Sequence, residues 1–399
     1  MNKKISVGLM LTIVFVAVAT AVAITMSVSM RTYNSLIKDL PQRAQMYSGI
    51  AEIDDIVRAE YYGDVNQSLL ASSLSKGYTD GLGDKYSAYM TADEYSEYVD
   101  RIGGKNSTIG IIPFQDPDTG YIYVSKVFDN SAAQTAKIVK GDEITAINGE
   151  NITSNNYNDM VKMLYGDKYT NLVLTVQHGK KTSDVKVVLG YNMQTVSFDK
   201  VGKIGVIRIT AFYENTALQL SEAIKALQKE NVTGLIIDVR NCSDGVVKYA
   251  ATAVDVIVPV ASEGRGAIAL IQNSKGETVD TYTADTKSVT LPLAVLVNGS
   301  TNGPAELFAC TLLDYGRADL VGTVTAGNAT IQDVFKLSDG GAVKLTVATL
   351  LPYRSESYNE VGITPNYEVE MSSDETKHLY MLTTDKDPQF QKAYSLLSE

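Results

Sequence analysis

The 399-residue chain is short of the residues from which most active sites are built: two histidines, His178 and His378, and two cysteines, Cys242 and Cys310. So few and so widely spaced ligands make no metal-binding cluster, and no phosphate-cradling glycine loop or dinucleotide fingerprint is present. No metal and no cofactor is therefore expected. Two cysteines allow one disulfide at most, and the alternative is a pair of buried thiols. Positive charge is also scarce: 35 basic residues face 46 acidic ones, for a net charge of −11. That balance excludes a nucleic-acid partner, which needs a basic face. Internal repeats and low-complexity tracts are missing as well.

What is present suits a folded protein. Hydrophobic residues make up 45% and charged residues 20%, enough to bury sizeable cores over this length. Lys3 and Lys4 precede an uncharged apolar stretch, Ile5 to Met30, closed by Arg31. The stretch exceeds the roughly 20 residues needed to cross a bilayer. Residues 1–31 are expected to be a single-pass signal anchor in the cell membrane, with the bulk of the chain extracytoplasmic. Cleavage after Ala17-Val-Ala19 or Ala21-Val-Ala23 is the alternative. Arg31, Lys38 and Arg43 weaken the orientation signal of the first two lysines.

Three further segments follow. Residues 32–103 are helical in pattern, with three- and four-residue apolar spacing over Ser48–Tyr62 and Asn66–Gly81. Residues 104–190 carry short β-like runs, Thr108–Pro113, Tyr121–Val127, Glu143–Ile147, Leu172–Gln177 and Val185–Leu189, with helical segments at Ala132–Ile138 and Asn155–Tyr165. In residues 191–399 apolar strands (Val201–Ile209, Thr233–Val239, Leu293–Val297) alternate with helices (Ala217–Glu230, Tyr249–Val258, Ala305–Tyr315). That alternation predicts an α/β sheet covered on both faces, with strand-end loops available for a site. Asp374–Glu399 reads as a solvated helix. The fold class is α/β within an α+β multi-domain chain.

Two segments carry the chemical signal: Asn298-Gly-Ser-Thr-Asn-Gly-Pro-Ala-Glu306 and Thr325-Ala-Gly-Asn-Ala-Thr-Ile-Gln332. They resemble the active-site segments of the carboxy-terminal processing (tail-specific) serine proteases, N-x-G-S-A-S-A-S-E and T-F-G-K-G-x-V-Q. Further matches are Gly83-Asp-Lys-Tyr-Ser-Ala-Tyr-Met, Leu235-Ile-Ile-Asp-Val-Arg240, Asp314-Tyr-Gly-Arg-Ala318, Leu337 to Thr346, and Val361-Gly-Ile-Thr-Pro-Asn366. Lys140-Gly-Asp-Glu-Ile-Thr-Ala-Ile-Asn-Gly149 is similar to the PDZ motif of that family. The resemblance implies a PDZ-like domain and a ClpP/crotonase-like core, and it implies protein or peptide C-termini as partners. A homo- or hetero-oligomer, or a pairing with an active paralogue, is implied on the same ground. The PDZ carboxylate loop would be Thr108-Ile109-Gly110-Ile111, with Thr108 in place of the first glycine.

Laid on without a gap, the family's nucleophile falls on Gly303 and its general base on Asn328. A serine–lysine protease needs an aimed hydroxyl, a nearby amine to deprotonate it and backbone donors for the oxyanion. Gly303 has no side chain, Asn328 is no base, and Pro304 has no N–H where one oxyanion donor should be. The other oxyanion loop reads Asn241-Cys-Ser-Asp-Gly245, where Asp244 sets a carboxylate beside the developing negative charge. Gln332, which in the family steadies the lysine, has nothing evident left to steady. Asn302-Gly-Pro-Ala305 reads as a helix start with a capping residue ahead of proline. The sequence therefore predicts an inactive family member that binds C-termini. Two other readings stay open. One is a working peptidase with a relocated nucleophile, Cys242 before Ser243, Ser300 or Thr301 with Lys248; the other is a structural protein whose PDZ groove is closed.

Overall fold

The computed structural model describes residues 14–18, 20, 22–27, 29–30, 40–258, 266–284 and 289–398. The expected anchor, residues 1–31, lies largely outside them. Among the described residues no helix is long and apolar enough to cross a membrane. The chain divides into two compact units, Met1–Leu74 and Ser75–Glu399. In the first, the last turn of the helix Leu40–Glu60 carries Arg58, whose guanidinium bonds Asp54 at 2.7 Å and Gln67 at 3.0 Å.

In the second unit, an antiparallel sheet orders Ile111–Gln115, Ile122–Val127, Glu143–Ile147, Asn171–His178 and Lys181–Val188 as neighbours. Alternate residues face inward, with a register shift between Ile144 and Ala146 that also turns Ile147 in, so Ile122, Val124, Ile144, Ile147 and Leu174 meet Ile109 in one buried cluster. Ile111–Gln115 ends the order and pairs on one side only among the described strands.

The α/β sheet runs Val196–Val201, Ile204–Ile209, Gly234–Asp238, Leu293–Val297, Ala318–Gly322 and Tyr367–Glu368. The first pair is an antiparallel hairpin turning at Gly202, and the rest are parallel. Every residue of Gly234–Asp238 and Leu293–Val297 is buried, as a strand covered on both faces must be. Leu235, Ile237, Val295 and Val297 pack with the helices Thr216–Lys229, Val247–Asp255 and Pro304–Asp314, while Ile236, Ala294 and Leu296 pack with Phe390 and Ala393. The carboxyl ends of these parallel strands open into three loops, 239–246, 298–303 and 323–329. A crevice outside such strand ends is where open α/β sheets place ligands.

Three sequence expectations need correction. Val201–Ile209 is a hairpin rather than one strand. The segment from Asp374 is three short pieces, Ser373–Lys377, Leu379–Met381 and Pro388–Ser398, with Leu379, Gln389, Phe390 and Ala393 buried; it packs because Phe390 covers a sheet face. A third sheet went unforeseen. Its long strand Ala342–Pro352 pairs with Ala88–Met90, Gly266–Gln272 and Thr330–Lys336, and Gly266–Gln272 pairs onward with Thr278–Ala284.

Candidate active-site cleft

The three loops are stitched to one another by side chains. Asn298 accepts the N–H of Asn241 at 3.0 Å and donates to the Asn241 side-chain oxygen at 2.7 Å. Asn241 has φ of 55°, a left-handed conformation that asparagine tolerates better than most residues. The Thr301 hydroxyl donates to the Val239 carbonyl at 3.0 Å, and the N–H of Asn302 to the Cys242 carbonyl at 3.0 Å.

At the start of the Pro304–Asp314 helix, Glu306 is fully buried, 0% exposed. Its carboxylate accepts four bonds: from Thr325 Oγ1 (2.5 Å), and from the backbone N–H groups of Gly327 (2.6 Å), Asn328 (2.8 Å) and Gly303 (2.9 Å). The helix N-terminus favours an anion there. The capping position is Gly303, directly ahead of Pro304 as the sequence reading has it; it has no side chain to cap with, and Glu306 reaches back to its N–H. Asn302 instead accepts from Asn328 Nδ2 at 2.9 Å.

Gly303 and Asn328 face each other. A Cβ on Gly303 would stand 3.2 Å from Asn328 Nδ2, and Gly303 adopts φ of 54°. Asn328, 5% exposed, has both ends of its amide engaged, because Oδ1 accepts from Thr330 N (3.0 Å) and Thr330 Oγ1 (2.5 Å) while Nδ2 donates to Asn302. Gln332 Nε2 donates to that same Thr330 hydroxyl at 2.7 Å and to Thr346 Oγ1 at 3.2 Å. Gln332 is therefore no idle strand residue: it steadies the Asn328 amide through Thr330. The network runs on to the Gly83–Met90 junction, where Ser87 Oγ accepts from Thr346 N (3.0 Å) and donates to Asp84 (2.5 Å).

The loop ahead of the Val247–Asp255 helix has a different arrangement. Gly245, with φ of 132°, lies so close to Phe212 that a Cβ would come within 2.4 Å of its carbonyl oxygen. The Gly245 N–H donates to the Asp244 carboxylate at 2.8 Å, and Tyr213 donates its hydroxyl to the same carboxylate at 2.5 Å. Burial, and then Asp244, raise the Tyr213 pKa far above the ordinary phenol value, so this hydroxyl keeps its proton. Arg101 Nη1 stands 3.7 Å away.

These placements sit in a chain whose residues 203–369 match Peptidase family S41 and whose residues 100–177 match the PDZ domain. It is 28% identical over 321 residues to the carboxy-terminal processing protease CtpA of Bacillus subtilis (strain 168), an alignment covering 79% of this chain and 67% of that protein. It is 26% identical over 323 residues to a CtpA-like serine protease assigned in Staphylococcus aureus (strain MRSA252), with 80% and 64% covered. The chain thus spans about two thirds of the length of these relatives. The chain belongs to the carboxy-terminal processing peptidase family. A structure assigned to the S41 proteases from Bacteroides fragilis NCTC 9343 shares the fold, with a TM-score of 0.54 and 17% identity over 87% of this chain and 96% of that one.

As nucleophiles, the remaining candidates are poorly equipped. Cys242 is 1% exposed, and burial, with Asp244 and Asp238 adding to it, raises its thiol pKa well above the ordinary range. A buried thiol that keeps its proton is a poor nucleophile. Cys310 is buried too, its pKa pushed up to about 12 chiefly by burial, and both thiols are free. Thr301 spends its hydroxyl on Val239. Ser243, Ser300 and Lys248 are exposed, and among the described residues no lysine or histidine bonds either serine.

The PDZ loop expected to hold a carboxylate is buried throughout, at Thr108, Ile109, Gly110 and Ile111. Gly110 has φ of 83°, and a Cβ there would lie 2.2 Å from that of Ser131. Its N–H donates to the Thr108 hydroxyl at 2.9 Å. In the sequence, Thr108 stood out only as a lost glycine; the bond it makes was not visible there.

Proposed function

We propose that this family member is a pseudopeptidase, which holds protein C-terminal tails without cutting them. The observation that carries this reading is the state of the two oxyanion positions. At Pro304 the donor is chemically missing, and at Gly245 it is already bonded to Asp244 at 2.8 Å. Losing one such donor costs about a hundred- to thousand-fold in turnover. Loss of the nucleophile at Gly303 or of the base at Asn328 costs about a million-fold, though such losses do not multiply. With both Asn328 amide groups engaged, the amide is a structural strut rather than a proton acceptor.

Tail binding is supported by the one-sided strand Ile111–Gln115, to which an extended peptide can add by main-chain bonds. Pro113 removes one donor from that edge. The chain would sit in the membrane through Ile5–Met30, with the cleft outside the cytoplasm, and would sequester a tail or regulate an active relative, including through mixed dimers. Alkaline extraction of membranes from cells making the full chain tests the anchor, and release into the soluble fraction would remove it.

The catalytic question is tested with the purified full chain, an unfolded substrate bearing an apolar tail, and a fluorophosphonate serine probe. The expected result is retention of the tailed protein with neither cleavage nor labelling. Cleavage that a single substitution in this chain abolishes would overturn the proposal.

A further inference from the structure

Two hydrogen-bond donors and a guanidinium converge on one carboxylate in this cleft, and that carboxylate belongs to the chain itself. The Gly245 N–H and the Tyr213 hydroxyl bond Asp244 directly, at 2.8 and 2.5 Å, and the Arg101 guanidinium stands at 3.7 Å. Lys344, on the strand Ala342–Pro352 and paired with Ala88 and Val334, is near enough to feel the charges of Asp244, Arg101 and Asp84. Burial lowers the Lys344 pKa, and Asp244 works against that lowering. A backbone N–H, a buried phenol and a guanidinium around one point form a receptor for a carboxylate group. The site is not sealed, since the side chains of Asp244 and Arg101 are 47% and 45% exposed. Gly245 is fixed in place by Phe212, so its N–H direction is set before any ligand arrives.

We infer that Asp244 is an intramolecular stand-in for the terminal carboxylate of a bound polypeptide, occupying a carboxylate-specific subsite in the cleft. The inference rests on the reading of this cleft as a tail-binding site and adds how that site is held closed. Asp244 competes with the incoming tail, so the resting chain binds tails weakly here and discriminates poorly between a free C-terminus and a blocked one. A ligand carboxylate takes over the Gly245 N–H and the Tyr213 hydroxyl as Asp244 rotates into solvent. No bond is made or broken in the chain or the ligand.

The same device recurs in the PDZ-like domain, where the Thr108 hydroxyl takes up the Gly110 N–H. A test must therefore separate the two loops. Fluorescence anisotropy of a short apolar peptide, labelled at its N-terminus and carrying either a free carboxylate or a C-terminal amide, is measured on the unaltered full chain and on Asp244→Ala. On Asp244→Ala the acid peptide is expected to bind about tenfold tighter than on the unaltered chain, the effect of one freed charge-assisted site. The amide peptide should be unchanged. Adding Arg101→Ala should erase the gain, which assigns it to this cleft rather than to the PDZ loop. Asp244→Asn keeps an acceptor on the Gly245 N–H but removes the competing charge, so a smaller gain restricted to the acid peptide is expected. Equal gains for acid and amide, or no gain in either variant while thermal melts stay intact, would overturn the inference. Cleavage of the peptide by the unaltered chain would instead sink the noncatalytic reading, so the two failures are told apart.

Discussion

Glu306 has no water to solvate it, and its donors come from two stretches of chain, Gly303 beside it and Thr325, Gly327 and Asn328 beyond. Each oxygen accepts two bonds. Glu306→Gln must turn an NH2 group toward one of those donor pairs, leaving two buried donors facing another donor. The expected cost is about 2–4 kcal/mol, the penalty of unsatisfied buried groups, read as a fall in thermal midpoint with the overall fold retained. A variant as stable as the parent would show that the carboxylate does not clamp the segments. The motif made Glu306 visible as a residue type, but its bonds reach backbone N–H groups that no spacing rule marks. Asp244 shows the same limit. From the sequence it is a negative charge opposing the reaction; in the fold it is also the acceptor that occupies Gly245. What the motif did make legible was the juxtaposition of loops, because Gly303 and Asn328 lie at matched positions of two recognisable segments.

At the scale of elements, the apolar α/β strands were legible because runs such as Leu293–Val297 are hydrophobic throughout and bounded by turns. Gly266–Gln272 and Thr278–Ala284 were not. The first is a short apolar run that periodicity cannot assign, and the second is largely polar and exposed. A joint between elements was equally invisible: the turn at Asp118 meets Lys377 and His378 of the Ser373–Lys377 helix end, with His378 Nε2 3.0 Å from Asp118. Asp118, followed by the Asp374 carbonyl, raises the His378 pKa above the ordinary imidazole value. A raised folded-state value means the contact is fully present below the unfolded pKa and is lost as pH rises through the folded one. Lys377 keeps its charge throughout. Nuclear magnetic resonance titration should give His378 a midpoint above about 6.5, and Asp118→Asn should lower it. The protection factors of the 116–120 amides, with the base-catalysed intrinsic rate divided out, should fall as pH rises through the His378 midpoint; protection that stays constant across that midpoint would show that the pair carries no coupling.

Across the whole second unit, the PDZ-like domain meets the α/β core at the Asp118 contact with Lys377 and His378 and also through Phe114 and Lys126. Tyr380 stacks on Phe114, with centroids 3.3 Å apart, and lies under the Arg208 guanidinium at 5.2 Å. Lys126 reaches Asp199 at 2.5 Å. Behind Tyr380 the core is rigid: Arg240 bonds Asp238 and Asp387 through buried guanidinium nitrogens, tying the end of the Gly234–Asp238 strand to the start of the C-terminal helix. Burial would raise the Asp238 pKa, but Arg240 and Arg208 more than offset it and hold the carboxylate ionised. The domain joint is thus a small stacked contact set against a fixed charge cluster, and small polar interfaces within a chain permit relative motion by default. Tyr380→Ala with Lys126→Ala removes the stack and the ion pair while leaving the inner PDZ cluster of Ile109, Ile122 and Ile144 untouched. Solution scattering from the double variant should show a larger radius of gyration, and proteolysis should strike near residues 103–107 and 190–195, where the chain passes between the domains. The core's melting should move little, because the bonds of Arg240 to Asp238 and Asp387 do not involve Tyr380 or Lys126. An unchanged scattering curve would mean that the two crossings of the chain, the small sheet formed by Ser107–Thr108, Tyr165–Gly166 and Tyr191–Asn192, and the Asp118 contact with His378 already fix the domain without Tyr380.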